Sequence, residues 1–410
     1  MSLASRRRSW MDAFFHSQGE GTSPRPDQGA RANMILLDEE LHAHWRLGRD
    51  VILVWTPRGA GLDILVVPHY RLADFAIRSG EDRDPQARLI DAVVAGPKQV
   101  SPERLADVAR VLDVTPQHVD LPFTVGEGLN LETITALVRR YSISHVQDRA
   151  VALFDAVGFS LLSPLEQVTQ LNSLAYSVNS AHSKLMDKNI QINFGRTTTG
   201  DGFYIWNRAT SIQANVDLYH FMHLVLADNA IARRKAKGNT APLLRASFHV
   251  GGHYEFYQSE GLSPTTFSYI VGDVTIELAR ILDHALPGQV LVGDFRVPMP
   301  DRRTGRSERV DTLDFIHRTQ GTLSSLEGLV LAGDGIDAIK CYLTGPRRDD
   351  GLFGVRRYSI GDKHGLSRDV YNAKINIYRK DAEPIFLGIQ EAEMSAFRAE
   401  AFEDVAIESA

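Results

Sequence analysis

Apolar residues along the chain change their spacing repeatedly, and those changes predict most of the elements. Residues 50–67 hold two apolar runs across a Gly-rich turn, which predicts two strands. In residues 101–119, Leu105, Val108, Ala109 and Leu112 recur at helical spacing behind a Ser101-Pro102-Glu103 start. Residues 130–144 predict a further helix leading into the next unit. Val151 to Phe154 form an apolar run, ended by Asp155 and a Gly-containing turn. Ser163 and Glu166 then make a capping box with Pro164 at the first helical position. From there Leu165, Val168, Leu171, Leu174, Ala175 and Val178 are expected to line one helical face. A hairpin over residues 190–206, a long helix over 211–236 and a second hairpin around Gly251-Gly252 follow. The pattern continues with a strand at "TFSYIV", a helix over 272–285 and a strand over 287–295. The order β-α-β-β-α-β predicts an α+β fold, a split βαβ (ferredoxin-like) domain with helices on one face of an antiparallel sheet.

Composition narrows the class. The chain has 410 residues, 43% hydrophobic and 23% charged, as expected of a globular protein with two or three units. We expect a tail over residues 1–32, a smaller α/β regulatory or dimerising unit over 33–145, the main domain over 146–395 and a tail over 396–410. The net charge of −6 gives no reason to expect nucleic acid as a partner. No apolar run approaches the ~20 residues of a membrane helix, so no membrane is expected. The single cysteine, Cys341, makes no internal disulfide, which fits the cytoplasm. Residues 101–119 also have the outline of a DNA-binding helix-turn-helix, although the turn lacks the usual Gly.

The hairpin "RTTTGDGFYIWN", residues 196–207, raises the chemical question. An Asp-Gly turn accounts for Asp201 at its tip, since such turns need a positive φ. A metal site accounts for it too, provided a second carboxylate lies near. In the expected topology the first strand of the split βαβ lies beside this hairpin, which brings Asp155 to the same end of the sheet. Two carboxylates plus a backbone carbonyl suit Mg²⁺ when substrate phosphates complete the octahedron. The turn Ala156-Val157-Gly158-Phe159-Ser160 is expected to open into a helix whose N–H groups suit a triphosphate.

These residues resemble the class III nucleotidyl cyclases, known as adenylyl and guanylyl cyclases. "FDAVGFS" is similar to their first metal motif, "TTGDGFYIW" to their second metal hairpin, and "SFHVGGHYEF" to the Gly-centred hairpin that follows. "VGDVTIELARILDHALPGQVLV" resembles their last helix and strand. The resemblance covers about residues 149–294. It implies two Mg²⁺ or Mn²⁺ ions on Asp155, Asp201 and the Ala156 carbonyl, with a nucleoside triphosphate as substrate. It also implies a homodimer with sites at its interface and Arg280 supplied by the other chain. Phe159 and Ser160 would meet the triphosphate. Lys363 and Lys374 are candidates for a further phosphate contact, of which Lys363 is favoured.

The sequence departs from the family pattern in three places. Thr197 stands where adenylyl cyclases carry Lys, Tyr269 where they carry Asp or Thr, and Ile276 where a helix Asn orients the ribose. The base pocket is therefore expected from Arg196, Thr197 and Tyr269. An Arg donates and cannot accept, so it favours a carbonyl-rich edge such as that of uracil or guanine. The bacterial uridylate and cytidylate cyclases of anti-phage signalling are relatives with non-purine pockets. The alternative is a catalytically degenerate cyclase fold that binds a nucleotide without turnover. His249 and His253, flanking Gly251, are read as structural. Residues 299–312 are read as an exposed loop, and residues 358–390 as a pair of strands around Gly361–Gly365.

Overall fold

The computed structural model describes residues 28–75, 84–190, 192–259, 266–347, 353–362 and 365–405. The chain divides into two compact units. The first comprises residues up to Gln147 together with His253–Ile270. Helix α1 (Gln28–Trp45) opens it, so residues 28–32 are helical rather than part of a tail. Strands β1 (Asp50–Arg58) and β2 (Gly61–Pro68) pair antiparallel, as expected. Helices α2 (Pro85–Ala95) and α3 (Pro102–Leu112) follow, and then β3 (Gln117–Asp120), which pairs with β2. Helix α3 is thus followed by a strand, so residues 101–119 are not a helix-turn-helix. Helix α4 (Leu131–Arg139) ends earlier than expected and yields at Ile143 to β4 (Ile143–Ala156).

Alternation explains why β1 reads as an unbroken apolar run. Ile52 packs with Leu37, Leu41, Ile134 and Leu137 of α1 and α4. Its neighbours Val51 and Leu53 pack with Ile90, Val93, Leu105 and Val108 of α2 and α3. A strand buried on both faces loses the polar half of its alternation.

Lys98 sits inside this unit at 1% exposure. Its ammonium donates to the carbonyls of Ile143 at 2.8 Å and Val94 at 3.4 Å, and it has no carboxylate partner among the described residues. Burial, aided by the charge of Arg139, lowers its pKa to about 7. Between about 7 and the ordinary 10.5 the unfolded chain holds a proton that the folded chain has lost, so stability rises with pH. Wild-type protein should therefore gain stability over Lys98→Met as pH is raised through that window. Equal pH slopes in denaturant titrations would contradict this.

The second unit comprises residues 148–252 and those from Val271 onward. After β4 come α5 (Pro164–Asp187), β5 (Phe194–Thr198), β6 (Gly202–Asn207), α6 (Ile212–Lys235) and β7 (Leu244–Ser259). Their sheet order is β7-β4-β6-β5, the order of a split βαβ, as the sequence predicts. Strand β8 (Thr266–Val271) and helix α7 (Asp273–His284) lead to β9 (Val290–Gly293), which lies parallel to β7. The sheet is therefore mixed at this point, while β4–β6 and β5–β6 pair antiparallel.

The chain continues through β10 (Arg296–Asp301), β11 (Arg306–Asp311), α8 (Thr312–Thr322), β12 (Val330–Leu331) and β13 (Asp334–Leu343). Strands β14 (Val355–Gly361), β15 (Ser367–Arg379), β16 (Ile385–Leu387) and β17 (Ala401–Val405) complete it. The core joins Phe154, Leu174, Val178, Phe221, Phe248 and Phe315 from strands and helices together.

Several expectations need correction here. The buried stripe of α5 runs through Gln170, Leu174, Ser177, Val178, Ala181 and Leu185. Leu165 and Val168 lie off that stripe, 73% and 55% exposed. Residues 244–259 form one strand and not a hairpin. Gly251 has no left-handed φ; a Cβ there would lie 3.4 Å from Val274 of α7. The glycine serves a close helix–strand approach. Residues 296–311 form the β10–β11 hairpin, with Met299 and Val310 buried in the core, so the exposed loop is confined to its tip. Residues 401–405 are not a tail but strand β17, paired with β14.

Candidate functional site

The β5–β6 hairpin, with β4 beside it, accounts for the position of Asp201. Thr198 pairs with Phe203, leaving four residues at the tip. The positive φ falls on Gly200, at 102°, not on Asp201. Gly202 is required for another reason: it pairs with Asp155, and a Cβ there would lie 1.8 Å from the Phe154 carbonyl oxygen. Thr199 donates its hydroxyl to Asp201 Oδ1 at 3.1 Å, and Thr198 Oγ1 accepts the Gly200 amide at 3.0 Å. The three-threonine approach thus fixes the tip. The Ala156 amide donates to the Asp201 carbonyl at 3.1 Å, which locks the end of β4 to the hairpin tip.

Asp155 and Asp201 are brought together at this end of the sheet. Asp155 is buried at 8% exposure and lies close enough to Asp201 to interact directly. Burial raises the Asp155 pKa, Arg245 pulls it down, and repulsion from Asp201 pushes it up again. A carboxylate raised by burial and by repulsion from its neighbour gains most from a cation between the two. Among the described residues no group of three or more acidic, His or Cys side chains has the geometry to hold a metal alone. The donor set fits a hard cation whose remaining ligands are phosphate or water oxygens.

Arg245, at the head of β7, is the residue that the sequence reading missed. Its Nε donates to Asp155 Oδ2 at 2.7 Å, and its Nη1 to the Ala285 carbonyl at 3.2 Å. The signal was a basic residue opening an otherwise apolar strand that was predicted to enter the same sheet.

The turn after Asp155 departs from expectation. Gly158 takes a left-handed φ of 71°, and Phe159–Leu161 form a short 3₁₀ turn. The long helix starts only at Pro164, behind a Ser163–Glu166 capping box that occupies its own first amides. The Ala156 and Val157 amides are taken by the carbonyls of Asp201 and Leu243. Those of Gly158, Phe159 and Ser160 engage no partner among the described residues. The free donors therefore belong to the turn and not to a helix end.

Solved structures compared with the chain are adenylyl and guanylyl cyclase domains. The adenylyl cyclase CyaB of P. aeruginosa is 14% identical, with 59% of this chain and 97% of that one covered, at a TM-score of 0.33. The guanylate cyclase domain of Catenaria anguillulae RhGC, solved with GTP, is 9% identical, covering 58% and 100%, also at 0.33. The dimeric guanylyl cyclase domain of Blastocladiella emersonii RhoGC is 11% identical, covering 40% and 94%, at 0.29. No protein-family model and no curated protein matches the chain. Likeness at this level leaves the site to be read from its own residues.

The remaining expected residues are dispersed. Arg280 on α7 makes ion pairs with Asp283 at 3.6 Å and Asp362 at 3.9 Å, and not with Asp155 or Asp201. It lines a hollow of ≈ 290 Å³ with Tyr204, Thr275, Ile276 and Ala279. Ile276 is 51% exposed there. Arg196 is exposed, its guanidinium 4.9 Å over the Phe203 ring, and Thr197 lies opposite Tyr204. Tyr269 belongs to the first unit and stacks on Phe256 at 5.9 Å. Lys363 lies outside the described residues. Lys374 is buried and donates to the Gly388 carbonyl at 2.8 Å, so its ammonium is already engaged. His249 is half-buried, and desolvation lowers its pKa to about 4. No helix among the described residues is long and apolar enough to cross a membrane.

Proposed function

We propose that the chain is a metal-dependent nucleotidyl cyclase that converts a nucleoside triphosphate to a 3′,5′-cyclic nucleotide and pyrophosphate. It would act in intracellular signalling as a homodimer with sites at the interface. The observation that carries the reading is the Asp155–Asp201 pair beside a turn with three unengaged amides. Two Mg²⁺ or Mn²⁺ ions, when bound, would neutralise the triphosphate and lower the pKa of the ribose 3′-hydroxyl that attacks the α-phosphorus. Asp155, Asp201 and the Ala156 carbonyl are the groups that would hold them.

The chain's own contribution is placement and charge. The amides of Gly158, Phe159 and Ser160 donate to phosphate oxygens, as successive free N–H groups of a turn do for anions. Arg245 neutralises Asp155 in the free chain and stands ready to turn onto a phosphate once a cation takes over that carboxylate. Arg280 from the other protomer stabilises charge on the α-phosphate, so no nucleophilic side chain is needed. Arg196 and Thr197 would line the base pocket, which lacks the donor–acceptor set for adenine.

Pyrophosphate release in the presence of Mn²⁺ tests the reading, with the four common nucleotides run in parallel. Folded protein that releases none would overturn it. Replacing Thr197 by Ala should change the ratio of rates among the nucleotides, because each mismatched buried group costs about 1–3 kcal/mol. An unchanged ratio, or strict use of ATP by the wild type, would remove the pocket assignment.

A further inference from the structure

Arg280 does not hang free from α7; a buried carboxylate on a different element faces it. Asp362 follows β14 at the start of the turn into β15, and its side chain is only 5% exposed. The turn fixes it closely. Its amide donates to the Leu366 carbonyl at 3.0 Å, its carbonyl accepts from Gly365 at 3.0 Å, and its Oδ1 accepts from the Leu366 amide at 3.0 Å. The other oxygen, Oδ2, faces two guanidinium groups, Arg368 Nη1 at 2.8 Å and Arg280 Nε at 3.9 Å. Arg368 is itself held from α7, its Nε donating to Glu277 Oε2 at 2.6 Å. Glu277 and Arg280 lie three residues apart on that helix, so the β14–β15 turn is tied to α7 twice, at neighbouring points.

The two distances divide the work. At 2.8 Å, Arg368 and Asp362 share a charge-assisted hydrogen bond, which makes Arg368 the anchor. At 3.9 Å, Arg280 feels the same carboxylate as an ion pair without a hydrogen bond. Asp362 therefore biases where the Arg280 guanidinium sits while leaving its donors for an incoming phosphate. An arginine side chain loses rotamer freedom when it engages a phosphate, and fixing it beforehand removes that cost from the transition state. Burial of Asp362 keeps salt from screening the effect.

We propose that Asp362, anchored by Arg368, is the positioning residue for Arg280. This rests on the reading that Arg280 acts on the triphosphate. Asp362→Asn keeps the shape and the Oδ1 bond to Leu366 but removes the charge. It should lower kcat by about tenfold with KM nearly unchanged, and Asp362→Glu should recover part of the loss.

The deciding measurement is a double-mutant cycle on pyrophosphate release in an Arg280→Lys background, with thermal melting as the folding control. The account expects Asp362→Asn to cost far less in that background than in wild type, because the group it positions is already displaced. Equal losses in both backgrounds would make Asp362 merely structural and overturn the proposal. Should Asp362→Asn fail to fold, Asp362→Glu keeps the charge on Arg368 and carries the same cycle. Full activity of Arg280→Ala would instead refute the role of Arg280 itself, so the two failures are distinguishable.

Discussion

Asp155→Ala and Asp201→Ala should each reduce turnover by at least ~100-fold while leaving the protein folded and its assembly unchanged. The two carboxylates do not hold the fold together. Asp155 is raised in pKa by burial and by repulsion from its neighbour, so in the free chain the pair is tolerated largely through Arg245. Removing Asp201 relieves that tension and should leave the melting temperature unchanged or raised, whereas removing Asp155 also strips Arg245 of its carboxylate and should lower it somewhat. Catalysis should fail nonetheless, because a site with one carboxylate fewer would hold its cation too weakly to keep it on the triphosphate. The check is steady-state turnover together with thermal melting. Near-full activity in either variant would remove the proposed metal site, and loss of the fold in both would mean the pair is structural.

Arg280→Ala and Asp201→Ala should each be inactive alone, and a mixture allowed to exchange subunits should regain activity. The proposal places the two residues of any one chain in different active sites, since Arg280 pairs within its own chain with Asp283 and Asp362 rather than with the aspartates. In a mixed dimer one interface inherits both lesions and the other neither. At most half of the wild-type activity per dimer then returns. Differently tagged variants, co-purified and assayed, provide the measurement. A mixture as inactive as its parents, despite demonstrated exchange, would contradict an active site shared between chains.

The split βαβ was legible because its signals are local. Ser163 with Glu166 caps α5, Ser211 caps α6, and the apolar runs of β4 and β6 are unambiguous. The meeting of Asp155 with Asp201 follows once the strand order is granted, and the register Asp155–Gly202 realises it. What local pattern did not carry was tertiary. Gly251-Gly252 has the appearance of a turn, yet Val274 of α7 lies against Gly251 and the strand runs straight through. Leu165 and Val168 fit a helical stripe, but burial on α5 begins only at Gln170. Arg245 reaches Asp155 across 90 residues of sequence, a pairing that no spacing rule encodes. Asp362 reaches Arg280 in the same long-range way.

The central claim is that this site closes a ribose 3′-oxygen onto the α-phosphorus rather than merely binding or hydrolysing a triphosphate. Mass spectrometry of products, after incubation of the purified chain with ATP, GTP, CTP and UTP in turn plus Mn²⁺, tests it most directly. The account predicts a cyclic nucleotide from at least one of the four, with equimolar pyrophosphate, and its absence from the Asp155→Ala reaction. Folded, dimeric protein yielding no cyclic product from any of them, or yielding only the linear monophosphate, would contradict it.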